Sequence, residues 1–199
     1  LVQSLIGWNQ AFDIKQALSA ASNHLPIDCS EEVINACYEF VLGRMKNTFL
    51  DQGYRFDVVD AVLSELGHNP AAAKIAIEQL STWINKESWE SILPAYSRCV
   101  RITRDKANLF TVDPSTFVED IDSKLYEGIL TIESEMAKNH SIDVFLNNFL
   151  SFVPTINLFF EDVMVMTEDK KERENRLGML QRIAKLSDGI ADFSKLEGF

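Results

Sequence analysis

"FFEDVMVMTEDKKERENRL", residues 159–177, sets two aromatics and a Val-Met-Val-Met alternation directly against a dense run of both charge signs. Three readings compete for it: a redox-active or metal-binding methionine patch, a membrane-facing edge, or the seam between two packed helices. The flanking sequence decides. Upstream, Ser141 opens a segment with Phe145, Phe149 and Phe152 at helical spacing. Downstream, a last helix from about Asp169 carries Leu177, Leu180, Ala184, Ser187 and Ile190 inward. Phe159, Phe160, Val163 and Met166 keep that spacing, so the run reads as a core plug at a helix end, with methionine filling an irregular gap. Thr167-Glu168-Asp169 then starts the last helix with acids at its positive end. The stretch is a seam.

The remainder of the chain carries the same period. Asp13 can cap a short helix with Ile14, Ala17, Leu18 and Ala21 on one side. Ser30, followed by Glu31 and Glu32, starts a stripe of Ile34, Cys37, Tyr38, Val41, Met45 and Phe49 that ends near Gly53. Asp57 lies near the start of the next helix, and Gly67 suits the position just past its end. Asn69-Pro70 is a cap with a first-turn proline, ahead of Ala73, Ile77, Leu80 and Ile84. Ser88 opens a helix that Pro94 should kink or restart. Asp113-Pro114 begins the longest pattern, through Ile121, Leu125, Ile129, Ile132 and Met136, and Pro154 should interrupt the segment begun at Ser141. Sustained strand alternation is absent. The pattern predicts an all-α bundle of eight to nine helices around one core.

Bulk properties narrow the function. The net charge is −11, so the chain cannot hold nucleic acid by bulk charge and would need a local basic strip. Cys29, Cys37 and Cys99 have no CxxC spacing and are odd in number, which fits reduced thiols rather than a disulfide or zinc framework. His24, His68 and His140 have no HExxH partner. No run of 18 apolar residues occurs and Leu1 opens the chain without a charged n-region, so neither a spanning helix nor a secretory signal is expected. A chain starting on Leu reads as a fragment of something longer.

Catalytic signatures are missing as well. No GxSxG, GxxxxGK[ST] or GxGxxG occurs, and no ExxH pairs suggest a di-metal carboxylate site. The basic side is more informative. In "SWESILPAYSRCVRITRDK", residues 88–106, 100° steps put Trp89, Leu93, Tyr96, Val100 and Thr103 on one face. Arg98 and Arg101 project to the opposite side with Arg104 on the boundary, and Asp105 is placed to pair with Arg101. A second cluster, Lys170, Lys171, Arg173 and Arg176, is interleaved with Glu172 and Glu174 and reads as a salt-laced exposed helix.

Three stretches carry a resemblance: "FVLGRMKNTFLDQGYRFDVVDAVLSE" (40–65), "AYSRCVRITRD" (95–105), and "FFEDVMVMTEDKKERENRLGMLQRIAKLSDGIADFSKL" (159–196). Their order, the Phe-Phe…Val-Met-Val-Met seam and the closing Ala191-Asp-Phe-Ser-Lys-Leu196 resemble the C-terminal region of the bacterial-type glycyl-tRNA synthetase beta subunit, over about residues 34–196. One departure is Arg101 ahead of Ile102, where many members of that family have Asn; it adds one charge to the strip.

The resemblance implies a helical, DALR-type anticodon-binding domain over 30–199, with 1–29 as a lead-in from the preceding part of the subunit. It implies glycine tRNA and the synthetase alpha subunit as partners, in an assembly of two alpha and two beta chains. Bond-making, ATP and Mg belong to the alpha subunit, so this segment is expected to hold no catalytic residue, cofactor or metal and to contact neither membrane nor DNA. The expected setting is the cytoplasm of a bacterium, or the plastid stroma of a plant. Charge and helix geometry then nominate Arg98, Arg101 and Arg104 as tRNA contacts, with Arg44, Arg55 and Lys106 next and Arg173 and Arg176 after them. The alternative is a subunit-assembly module without RNA contact. Favouring it, the helix from 113 to 139, followed to Asp143, carries eight acids against two basic residues.

Overall fold

The computed structural model describes residues 2–7 and 10–199; Leu1, Trp8 and Asn9 of the expected lead-in lie outside the described residues. The fold is all-helical, with no strand among the described residues. Its α-helices are α1 Val2–Gly7, α2 Ile14–Ser22, α3 Glu31–Asp51, α4 Phe56–Leu66, α5 Pro70–Trp83, α6 Trp89–Thr103, α7 Asp120–Lys138, α8 Ile142–Asp162 and α9 Lys170–Ala184. Most start where a cap is written. Asp13 accepts the Gln16 N–H at 2.9 Å, Ser141 accepts that of Val144 at 3.3 Å, and Asp169 those of Lys171 and Glu172 at 2.8 and 3.0 Å. Asn69 accepts the Ala72 N–H at 3.2 Å, with Pro70 in the first turn.

Three expectations change. Asp113 caps only a short 3-10 turn, Pro114–Thr116, because its carboxylate is taken by the Ser115 N–H and hydroxyl at 3.0 and 2.7 Å. Phe117 is extended, and α7 starts afresh at Asp120 with the Glu119 N–H donated to Asp122 Oδ2 at 3.2 Å. Neither Pro94 nor Pro154 breaks its helix. Both are exposed, so the carbonyl one turn earlier can turn to water, and the apolar stripe runs on in phase beyond each. Gly67 is right-handed at φ −59; close approach is what requires it there, since a Cβ would meet Leu42 Cδ1 and Leu63 O at 2.5 Å.

Where the stripes predict one core, the chain divides into two compact units. The first comprises residues 1–82 and 189–197. In it α3 packs on α1, α2 and α4, burying Tyr38, Val41, Met45 and Phe49, while Cys37 is exposed. The Asp51-Gln52-Gly53 turn ends α3 through Gly53 at φ +89, a left-handed position that costs glycine little. The closing motif forms a 3-10 turn, Phe193–Lys195, that packs on α4, with the Asp192 N–H donated to Ala61 O at 2.9 Å.

The second unit comprises residues 83–188 and 198–199. Here α9 packs on α6 and α7, and α8 packs on the same two helices. The Tyr96 ring meets Phe145 and Phe149 edge-on at 5.9 and 5.7 Å, and its hydroxyl reaches Ala184 O at 2.7 Å. Contrary to the reading of composition, α8 is long and apolar enough to cross a membrane; its Phe145, Phe149, Phe152, Ile156 and Phe159 are instead enclosed by the bundle.

The seam that opened the reading lies here. After Asp162 the backbone becomes extended, at φ −124 and ψ 141 for Val163. The helical period ends there, and a turn at Val165-Met166 follows. Val163 and Val165 are buried, whereas Met164 is 73% exposed and Met166 48%. The valines plug the bundle, and Met166 does not fill the gap assigned to it.

Candidate nucleic-acid interface

α6 has two chemically distinct sides. Ile92, Leu93, Ala95, Tyr96, Cys99 and Thr103 are buried, and the Thr103 hydroxyl donates back to Cys99 O at 2.9 Å. Arg98 and Arg101 are exposed, as are Arg104 at the helix end and Lys106 two residues on. The Arg98 guanidinium lies 4.0 Å from the centroid of the Phe160 ring, and that of Arg101 lies 5.7 Å from the centroid of Phe199. Each planar fork is thus steadied by a different ring, and among the described residues no acid pairs with either. That separation explains how two arginines three residues apart coexist despite repulsion. The expected Arg101–Asp105 pair does not form; Asp105 is instead 3.9 Å from Arg104 Nε, and both side chains are largely in water. Such a pair contributes little and can yield to a phosphate.

Burial pushes the Cys99 thiol up to about 12, and it donates to Ala95 O at 3.3 Å, so it stays protonated at neutral pH. Among the described residues no three His, Cys, Asp or Glu side chains gather as a metal site.

The other nominated cations are placed differently. Arg44, in the first unit, is exposed and 5.3 Å from the ring centroid of Phe40, itself 66% exposed. Arg55 grips Asp57 with both arms, at 3.0 and 2.6 Å, and reaches Glu197 at 3.1 Å. Its pKa is raised chiefly by that hydrogen bond. Burial alone would raise the Asp57 carboxyl, but the Arg55 fork and the Glu197 N–H, 2.9 Å away, outweigh it and hold it below the ordinary carboxylate value. Arg173 is half-buried and donates to Thr167 O and Glu168 O at 2.6 and 3.2 Å, closing the turn into α9.

Arg176 departs furthest from its expected place. It is 5% exposed, with Asp122 Oδ1 at 3.4 Å, Glu172 Oε2 at 3.6 Å and Met164 O at 3.1 Å. It is a pin under the seam, joining α7, α9 and the extended segment, and it presents no face to a ligand. The salt-laced exposed helix expected from the sequence holds for the first turn, where Lys170 and Lys171 are exposed and Lys170 lies 3.8 Å from Glu174, and is corrected from Asn175 through Gln181, which are buried. Sequence reading also missed Arg182, which grips Glu133 with both arms beside the Tyr126 ring; those hydrogen bonds raise its pKa.

The four helices α6 to α9, with Arg98 and Arg101 projecting from α6, fall within the part of the chain matched by the family model of the DALR anticodon binding domain, residues 92–191, apart from the first turn of α6. The chain belongs to the DALR anticodon-binding family. Within it, the likeness is to glycine–tRNA ligase beta subunits. The chain is 32% identical over 191 residues to that subunit from Clostridioides difficile (strain 630), covering 94% of this chain and 28% of the relative. It is 30% identical over 201 residues to the chloroplastic/mitochondrial glycine–tRNA ligase 2 of Arabidopsis thaliana, covering 100% of this chain and 19% of the relative. A third relative, the beta subunit of Sulfurihydrogenibium sp. (strain YO3AOP1), is 31% identical over 163 residues, 80% of this chain and 24% of its own. The chain therefore spans between 19% and 28% of the length of these curated relatives.

Proposed function

We propose that this chain is the anticodon-binding region of a glycine–tRNA ligase beta subunit, gripping glycine tRNA through the outward face of α6. The observation that carries this is the placement of Arg98, Arg101, Arg104 and Lys106: all four are exposed, on α6 and just past its end, within the family-matched residues. Two of the forks lie over aromatic rings and, among the described residues, no carboxylate grips them, which suits stacking on splayed bases or bonding to phosphates. Arg44, beside Phe40 on α3, is a secondary candidate of the same type.

In this reading the domain supplies tRNA recognition to an assembly of two alpha and two beta subunits. Glycine, ATP and Mg are handled by the alpha subunit. Residues 1–29 lead in from the preceding part of the subunit and belong to the first unit, and residues 30–199 supply the rest of that unit and the whole of the second. The setting is the cytoplasm of a bacterium, or the plastid stroma of a plant. Titration of labelled glycine tRNA tests the proposal. Arg98→Ala/Arg101→Ala is expected to weaken binding about tenfold and to flatten its salt dependence by up to roughly two phosphate contacts. An unchanged dissociation constant and salt slope would remove the strip from the interface and favour a subunit-assembly role.

A further inference from the structure

Three residues on successive turns of α9, Asn175, Gly178 and Gln181, lie against one piece of extended chain between α6 and α7. Gln181 Nε2 donates to Asn108 O at 2.8 Å, while Gln181 Oε1 accepts the Phe110 N–H at 3.0 Å. Asn175 repeats the arrangement: its Oδ1 accepts the Asp113 N–H at 2.8 Å, and its Nδ2 donates to Asp113 O at 3.0 Å and to Thr116 Oγ1 at 2.9 Å. Between them Gly178 lets the backbone come close, since a Cβ there would meet Phe110 O at 2.8 Å and Val112 Cγ2 at 3.1 Å. Both amides are buried, at 5% and 7% exposure, and each bonds backbone with its donor and its acceptor ends. Buried amides satisfied in this way fix a segment of irregular chain as firmly as a ladder fixes a strand.

The pinned segment begins two residues beyond Lys106. Residues 104–107 are thus held at one end by α6 and at the other by the Gln181 amide, with few conformations between. A cationic loop ordered during folding has less conformational entropy to lose when it meets a ligand. We infer that the amide ladder of Asn175, Gly178 and Gln181 fixes where Arg104 and Lys106 stand, making these three residues positioning residues for RNA binding, an inference that rests on the RNA reading above.

The experiment is a double-mutant cycle in the full chain. Gln181→Met and, separately, Gly178→Ala are made in the parent and in an Arg104→Ala/Lys106→Ala background. Two quantities are read: affinity for a glycine tRNA transcript, and hydrogen exchange of the Phe110 and Asp113 amides. Faster exchange is expected in both backgrounds. Affinity should fall about fivefold in the parent and by less than about twofold where the two cations are already gone. Equal losses in both backgrounds, or faster exchange with undiminished affinity, would overturn the positioning role while leaving the RNA reading intact. No binding by the parent chain would overturn the RNA reading itself, and with it this role. Gly178→Ala applies the same test by pressing on the loop backbone should Gln181→Met fail to fold.

Discussion

α6 and α9 are both 15 residues long, and by charge alone α9 is the richer in cations, with Lys170, Lys171, Arg173, Arg176 and Arg182 against Arg98 and Arg101. Their places in the second unit cancel that lead: Lys170 and Lys171 are exposed, as Arg98 and Arg101 are, but the arginines of the two helices part company. The arginines of α6 lie on the side away from Tyr96 and Cys99 and are exposed. Those of α9 are turned to internal tasks: Arg173 closes a turn, Arg176 pins the seam, and Arg182 grips α7 through Glu133. The difference teaches that the number of cations on a helix says little about ligand binding. Whether acids and carbonyls have been built in opposite them says much more.

The sharpest way to break this contrast is Arg176→Ala. It leaves the Asp122 carboxylate buried without its cation and frees the Met164 carbonyl, so urea unfolding should show a loss of about 3–4 kcal/mol. Arg98→Ala/Arg101→Ala should stay within about 0.5 kcal/mol of the parent in the same assay. Comparable losses for the two would erase the distinction. Arg55 sharpens it from the first unit, because its side chain is 46% exposed yet both arms are engaged by a buried acid. Asp57→Asn is expected to cost about 2 kcal/mol at neutral pH. Since the Asp57 pKa is depressed in the folded state, that advantage over Asn is fully present above the ordinary aspartate value and shrinks as the pH falls through the depressed one. Thermal unfolding of the two proteins across acid pH checks it; a gap that widens on acidification would contradict the pairing.

Much of the fold is legible in the sequence because its signals are local. Asp13, Ser141 and Asp169 cap helices where they are written, since a side-chain oxygen two or three residues ahead of a free N–H needs no tertiary context. Asp113 shows the limit. The same residue type caps a single 3-10 turn when a serine two residues on takes its carboxylate, and the true start of α7 uses Glu119 and Asp122 instead. The prolines mislead because packing along an uninterrupted stripe, as from Phe149 to Phe159, outweighs one missing hydrogen bond on a wet face. Site residues divide similarly. The Arg98–Lys106 strip follows from helix phase against an apolar face. The inner part of α9 does not, because its polar Asn175 and Gln181 are buried beside the apolar stripe by partners roughly 60 to 75 residues away in the chain, and Arg176 by Asp122 as well as by the nearby Glu172 and Met164. The methionines of the seam belong with these: their outward turn depends on where α8 stops, which no local signal marks.

Nuclease footprinting of glycine tRNA by the chain tests the central claim most directly. Protection should fall on the anticodon loop and should be lost with Arg98→Ala/Arg101→Ala at concentrations where the parent still protects. An anticodon loop cut equally with and without the chain, or protection that survives the double substitution undiminished, would contradict the account.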